Sequence, residues 1–153
     1  MERVKEILET KGGEVWSTSP DASVYHALLM MADKNVGALV VLESGALVGI
    51  LSERDVARQI VNHDRSLTEI PVREMMSGAV HTVSPEDSVR DCMALMTERR
   101  VRHLPVLEHG SLAGIVSIGD VVKATIDLQA FTIQQLETYI TGKGSGGRPG
   151  RAY

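Results

Sequence analysis

Two short stretches carry the polar residues whose spacing could do chemistry: Ser52-Glu53-Arg54-Asp55 and Ser117-Ile118-Gly119-Asp120. In each, a hydroxyl and a carboxylate stand three residues apart behind a Gly-apolar-apolar run, Gly49-Ile50-Leu51 or Gly114-Ile115-Val116. The carboxylate brings two acceptor oxygens and the serine a rotatable donor. If a helix opens at the serine, its free N–H groups and dipole favour an anion there, and a bare glycine lets a ligand approach the backbone. The same spacing is also a capping box, in which serine and acid satisfy the orphan amides of a helix start reciprocally. One serine can serve both purposes.

The residues that ordinarily carry catalysis or bind metals are scattered. His26, His63, His81, His103 and His109 lack the spacing of zinc ligands, and Cys92 is the one cysteine available to help, so no metal site is expected. Cys92 falls on the apolar face of a helical pattern and reads as a small core residue rather than a nucleophile. No Ser-His-acid or twin-carboxylate arrangement is recognisable, so no catalytic residue and no catalytic cofactor are expected. Met30, Met31, Met93 and Met96 recur at helical spacing as core packing. The pair Met75-Met76 and Trp16 could lie against a flat base or fill core.

The chain of 153 residues suits one domain or two very small ones. Apolar residues make up 43% and aromatics 3%, so the core must be aliphatic. A net charge of −4 with no basic run argues against a nucleic-acid partner. A lone cysteine fits a reducing compartment. There is no signal-peptide pattern, and no apolar run approaches the ~18 residues of a membrane span. The expectation is a cytoplasmic protein without a membrane partner.

What must position the two Ser-x-x-Asp stretches is a duplicated unit. Shifted by 65 positions, residues 15–56 fall on 80–121 without a gap, and 18 of the 42 pairs are identical. Each copy reads as β-α-β-β-α. A short strand lies near Val15 or Val80. A helix is expected from Ser19-Pro20-Asp21 or Ser84-Pro85-Glu86, with serine as N-cap and proline at the first position. A strand over 36–42 or 101–107 follows, then a tight turn at Glu43-Ser44-Gly45 or Glu108-His109-Gly110, a return strand and a second helix. Ahead of each copy runs a related lead-in, Val4-Lys5-Glu6-Ile7-Leu8 and Val72-Arg73-Glu74-Met75-Met76. One copy alone would bury too little surface, so the fold class is α/β (α+β), two such repeats packed with pseudo-two-fold symmetry into one module. The expected divisions are 1–62 for repeat 1 with its lead-in, 63–71 for the linker and 72–127 for repeat 2. A C-terminal helix over 128–141 and a disordered tail over 142–153 complete the chain.

The tandem Gly-apolar-apolar-Ser-x-x-Asp signatures resemble those of paired cystathionine-β-synthase (CBS) domains, the Bateman module. Val80-His81-Thr82-Val83-Ser84-Pro85 and Val101-Arg102-His103-Leu104-Pro105-Val106 support the likeness, which covers roughly residues 1–127. It implies a stand-alone regulatory module that binds adenosine nucleotides (AMP, ADP, ATP or NAD, sometimes S-adenosylmethionine) in clefts between the copies, with each aspartate accepting from ribose hydroxyls. The first cleft would use Ile50, Ser52, Arg54, Asp55, Ala79, Val80, Val101, Arg102 and His103. The second would use Glu14, Val15, Val36, Gly37, Ala38, Ile115, Ser117 and Asp120. Arg54, Arg102 and His103 would make the first cleft the more positive, so anionic nucleotides should bind tighter there. The resemblance also implies a homodimer, to which the apolar stripe Ile133, Leu136 and Ile140 adds surface, and an unidentified regulated protein as partner. The alternative is a dimeric adaptor whose clefts are vestigial and whose serine-aspartate pairs are only caps.

Overall fold

The 65-residue repeat appears as two hairpins of the same register. The computed structural model describes residues 2–147, with side chains through residue 141. In the first copy β2 (Ala38–Glu43) pairs antiparallel with β3 (Ala46–Ser52); in the second β4 (His103–Glu108) pairs with β5 (Ser111–Ser117). Both ladders shift register at equivalent places, Val41/Leu42 and Val106/Leu107. The two-residue turns, Ser44-Gly45 and His109-Gly110, take φ of 51° and 81° and of 52° and 79°. That left-handed pair is what a tight hairpin needs to match the twist of its strands, and it explains the glycine in each.

The β1 strand (Ser17–Thr18) runs parallel to β2, pairing Thr18 with Val41. Its counterpart in the second copy shrinks to an isolated bridge, Val83 with Val106. Proline explains the difference. In the first copy the Val40 N–H donates to the Trp16 carbonyl at 3.3 Å, whereas Pro105 occupies the Val40 position and has no N–H to donate.

Helices α2 (Val24–Lys34) and α4 (Val89–Arg99) begin later than their sequence cues. The caps are Ser23, whose Oγ accepts from the His26 N–H at 3.0 Å, and Ser88, whose Oγ accepts from the Asp91 N–H at 2.9 Å. Ser19-Pro20-Asp21 and Ser84-Pro85-Glu86 form turns instead, closed by Ala22 N–H to the Ser19 carbonyl and Asp87 N–H to the Ser84 carbonyl. A proline φ serves the second position of a turn as well as the first of a helix. The apolar period starts after the later serine, and that serine caps.

Two aliphatic cores form, and each is closed by the other copy's lead-in. The first gathers Val24, Ala27, Met31, Leu39, Val41, Leu51 and Val56 with Ile70, Val72 and Met75. The second gathers Val83, Val89, Cys92, Met96, Leu104, Val106, Val116, Val121 and Ala124 with Val4 and Ile7 of α1 (Val4–Lys11). Backbone bonds fasten the exchange: Val4 N–H to the Asp87 carbonyl and Val89 N–H to the Glu2 carbonyl on one side, Val24 N–H to the Ile70 carbonyl and Val72 N–H to the Ala22 carbonyl on the other. The lead-in grouped in sequence with repeat 1 therefore packs in repeat 2.

Short α3 (Glu53–Gln59) follows β3, while α5 (Ile118–Gly147) follows β5 and runs on unbroken. The helix passes residue 128 without a break, and helical backbone continues past residue 141, where composition placed the start of a disordered tail; residues 148–153 lie outside the described ones. Only the first turns of α5 reach the core, through Val121 and Ala124; Ile133, Leu136 and Ile140 are 56–69% exposed. No described helix is long and apolar enough to cross a membrane.

Ile7 is 3% exposed. Ile7→Ala should therefore cost about 2–4 kcal/mol in urea denaturation, as for a central core residue. A loss below about 0.5 kcal/mol, the range of surface changes, would show that α1 merely rests on the second copy.

Candidate functional site

Each β-strand that leaves a hairpin delivers a serine to the start of a helix. At the first, the Ser52 N–H donates to Asp55 Oδ2 at 2.9 Å and the Asp55 N–H donates to Ser52 Oγ at 3.1 Å. At the second, the Ser117 N–H donates to Asp120 Oδ2 at 2.9 Å and the Asp120 N–H to Ser117 Oγ at 3.2 Å. Both are formed capping boxes. The boxes leave spare capacity: Asp55 Oδ1 and the Ser52 hydroxyl proton remain uncommitted among the described residues.

Around Asp55 the two copies enclose a cleft. Its lining holds all nine residues expected there (Ile50, Ser52, Arg54, Asp55, Ala79, Val80, Val101, Arg102 and His103) together with Arg58, Ser77, His81 and Arg100. Ile50 and Ser77 hold the wall in place by exchanging backbone bonds, N–H to carbonyl at 3.0 and 2.9 Å. Arg58 could have been read as the residue one helical turn beyond Arg54. Arg100 gave no such signal; it ends α4 in the left-handed conformation at φ 54°, the place Asn35 takes after α2.

The Asp120 side differs. Lys11 Nζ donates to Asp120 Oδ2 at 2.6 Å and to the Ile115 carbonyl at 3.1 Å, so Ile115, Ser117 and Asp120 come together around a cation from α1. The first lead-in supplies this lysine because it is longer: Val4 to Val15 exceeds Val72 to Val80 by three residues. The longer segment makes a full α-helix, whereas its counterpart makes a single 3₁₀ turn, Val72–Glu74. Of the other residues expected on this side, Glu14 is exposed, Val15 and Val36 are half-buried and Ala38 is buried at the start of β2. Gly37 lies under the His103 ring, where a Cβ would stand 3.5 Å from Nε2.

Two expectations about the site need correction. Gly49 and Gly114 do not leave room for a ligand. A Cβ on Gly49 would stand 2.7 Å from Met76 Sδ, and one on Gly114 would stand 2.6 Å from Leu8 Cδ2. The glycines are there so that each lead-in can lie flat on the opposite hairpin. His103, counted as part of a positive cluster, is held below its ordinary pKa first by burial and then by the Lys11 ammonium, against an opposite pull from Asp120 and Asp55. The imidazole is therefore neutral near pH 7, and the positive charge of the cleft belongs to arginines.

The remaining candidates are structural. Cys92 is fully buried and its thiol is pushed up to about 11, chiefly by burial, so it is inert. Trp16 packs on the first core with Lys34 Nζ 4.4 Å above its ring. Met75 is core, and Met76 is the side chain that covers Gly49. Among the described residues no group of three His, Cys, Asp or Glu could hold a metal ion.

With this geometry in view, the relatives can be placed. The CBS domain family model matches residues 4–62 and 72–127, and the chain belongs to that family. A mitochondrial CBS domain-containing protein of Arabidopsis thaliana, CBSX3, is 39% identical over 149 residues, spanning 91% of this chain and 72% of that one. One solved CBS domain superposes with a TM-score of 0.79 at 46% identity, covering 82% of this chain and 99% of the other. A CBS-domain protein of Burkholderia ambifaria, named for signal transduction, gives 0.79 at 43% identity over 82% and 94% of the two chains. A hexameric CBS-CP12 protein from bloom-forming cyanobacteria gives 0.69 at 26% identity over 78% and 69%. The mixed α+β fold is that of CBS-domain structures.

The two electrostatic assignments can each be checked. A lowered histidine pKa means that the folded protein binds this proton less readily than the unfolded chain. The stability is complete above the ordinary value of about 6.5 and is lost as pH falls toward the lowered one. The urea midpoint should drop between about pH 7.5 and about pH 5.5, and drop less in His103→Gln; equal slopes would refute the assignment. For Asp120, burial alone would raise the carboxyl, but the Lys11 ammonium and the Ser117 N–H outweigh it and hold it below the usual range. In Lys11→Met the Asp120 carboxyl should titrate at higher pH by NMR, and an unmoved titration would show that Lys11 does not set it.

Proposed function

We propose that this chain is a regulatory module that binds one adenosine nucleotide in the Asp55 cleft and passes the binding state to a protein partner in trans. The observation that carries this reading is the contrast between two carboxylates with identical capping geometry. Asp120 is matched by Lys11, whereas Asp55 faces a cleft lined by arginines and half-buried apolar side chains, with one oxygen to spare. Asp55 Oδ1 and the Ser52 hydroxyl suit neighbouring ribose hydroxyls, Ile50, Val80 and Val101 suit the faces of a purine, and the arginines suit phosphate. AMP, ADP, ATP and NAD all offer that combination. The ligand bridges the copies, and it shifts the module's shape only so far as it binds one shape better than another.

Regulation rather than catalysis is supported by the inert Cys92 and by the kinship with a protein named for signal transduction. A reducing, cytoplasmic setting accords with the buried free thiol. Self-association as a homodimer is supported by the exposed apolar face of α5 and by a hexameric structural neighbour. One observation favours the second reading, a dimeric adaptor without a ligand: the capping boxes account for Ser52 and Asp55 by themselves.

Thermal unfolding separates the two. A nucleotide at about a hundred times its dissociation constant should add about 2.7 kcal/mol to the wild type. Asp55→Ala should lose most of that ligand-dependent shift and Asp120→Ala should keep it, although each costs about 1 kcal/mol as a lost cap. If no adenosine nucleotide stabilises any of the three proteins, the adaptor reading replaces the sensor.

A further inference from the structure

We infer that the Asp55 cleft selects nucleotides bearing a chain of two or more phosphates, and that Arg58 and Arg100 read the phosphates farthest from the sugar. The inference rests on the nucleotide reading above and narrows it to a charge class.

Four guanidinium groups converge on this wall, Arg54 and Arg58 from α3 of the first copy and Arg100 and Arg102 from the end of α4 in the second. None of the four pairs with a carboxylate among the described residues, whereas Arg65 and Arg73 pair with Glu74 and Asp21. Arg54 lies near two of the others: the Arg102 charge is the leading reason that its guanidinium lies below its ordinary value, with Arg58 adding to it and Asp55 pulling the other way. Clustered like charges that the protein itself leaves unmatched raise its energy, and an anion relieves that. A monophosphate brings about two negative charges near neutral pH, fewer than the cluster can use, and every further phosphate adds more.

Placement gives the direction. A second cavity adjoins the cleft and shares with it Arg54, Arg58, Arg100, Val101 and Arg102, while its far side is Met96, Thr97 and Ile118. The arginines thus stand between the Asp55 end, where a sugar would sit, and an outer space. A phosphate chain leaving the sugar crosses them in turn, each offering a forked pair of donors. The fold does not demand this cluster. At the symmetry-related positions Arg54, Arg58, Arg100 and Arg102 become Gly119, Lys123, Asn35 and Gly37.

Calorimetric titration with adenosine, AMP, ADP, ATP and inorganic tripolyphosphate, at one ionic strength and without divalent cations, tests this. The proteins are the wild type, Asp55→Ala and the double variant Arg58→Gln with Arg100→Asn, in which asparagine tolerates the left-handed backbone as Asn35 does. Wild-type affinity should rise about tenfold from AMP to ADP and rise again to ATP. The double variant should flatten the series, weakening ATP by about tenfold or more while AMP moves by less than about threefold. If AMP binds the wild type as tightly as ATP, or the double variant weakens both equally while Asp55→Ala still abolishes binding, the polyphosphate inference falls and the nucleotide reading stands. If no adenosine compound binds, both fall, whether or not tripolyphosphate does.

Discussion

Neither half of this protein closes its own core. Val4 and Ile7 complete the second copy, and Ile70, Val72 and Met75 complete the first. A unit of about sixty residues buries too small a share of its surface to be comfortable alone, and the mutual exchange supplies what each lacks. Everything else is arranged around that contact. Leu8 and Met76 lie so close to the opposite hairpins that a Cβ at 114 or 49 would displace their side chains. The bonds between Ile50 and Ser77 extend the first sheet with chain from the second lead-in. The cleft wall therefore joins backbone from both copies, and the two halves cannot part without exposing their cores.

On that symmetrical frame the asymmetry is small in sequence and large in effect. Three extra residues in the first lead-in turn a 3₁₀ turn into the helix α1 and carry Lys11 to Asp120. An ammonium 2.6 Å from that carboxylate takes the place that a donor group of a ligand would fill. The opposite cleft has no such lysine. Its lining carries instead four arginines, none of them paired with a carboxylate among the described residues.

The architecture was largely open to inspection in the chain itself. The hairpins followed from Ser44-Gly45 and His109-Gly110, because a two-residue turn imposes its own φ values. The serine-aspartate pairs could be recognised as caps for the same reason: they bond across three residues. The helices start at Ser23 and Ser88 rather than at Ser19 and Ser84 because proline fits a turn and a first helical position alike, and only three residues separate the two competing serines. The nine residues of the first cleft could be named from the family signatures. Arg58 lay within reach as a helical neighbour of Arg54, while Arg100 had no local mark.

Features settled within a few residues were legible in the chain alone: turns, caps, the apolar period of each helix, and the duplication that repeats the serine-aspartate pair. What tertiary structure decided were the contacts across long stretches of chain. Lys11 meets Asp120 from 109 residues away, Leu8 covers Gly114, and His103 is neutral rather than cationic because burial removes the water that would stabilise its charge. Local geometry is dictated by bonds and sterics that every fragment of the chain carries with it. Burial, and the charge state that depends on it, exists only once distant segments have excluded solvent together.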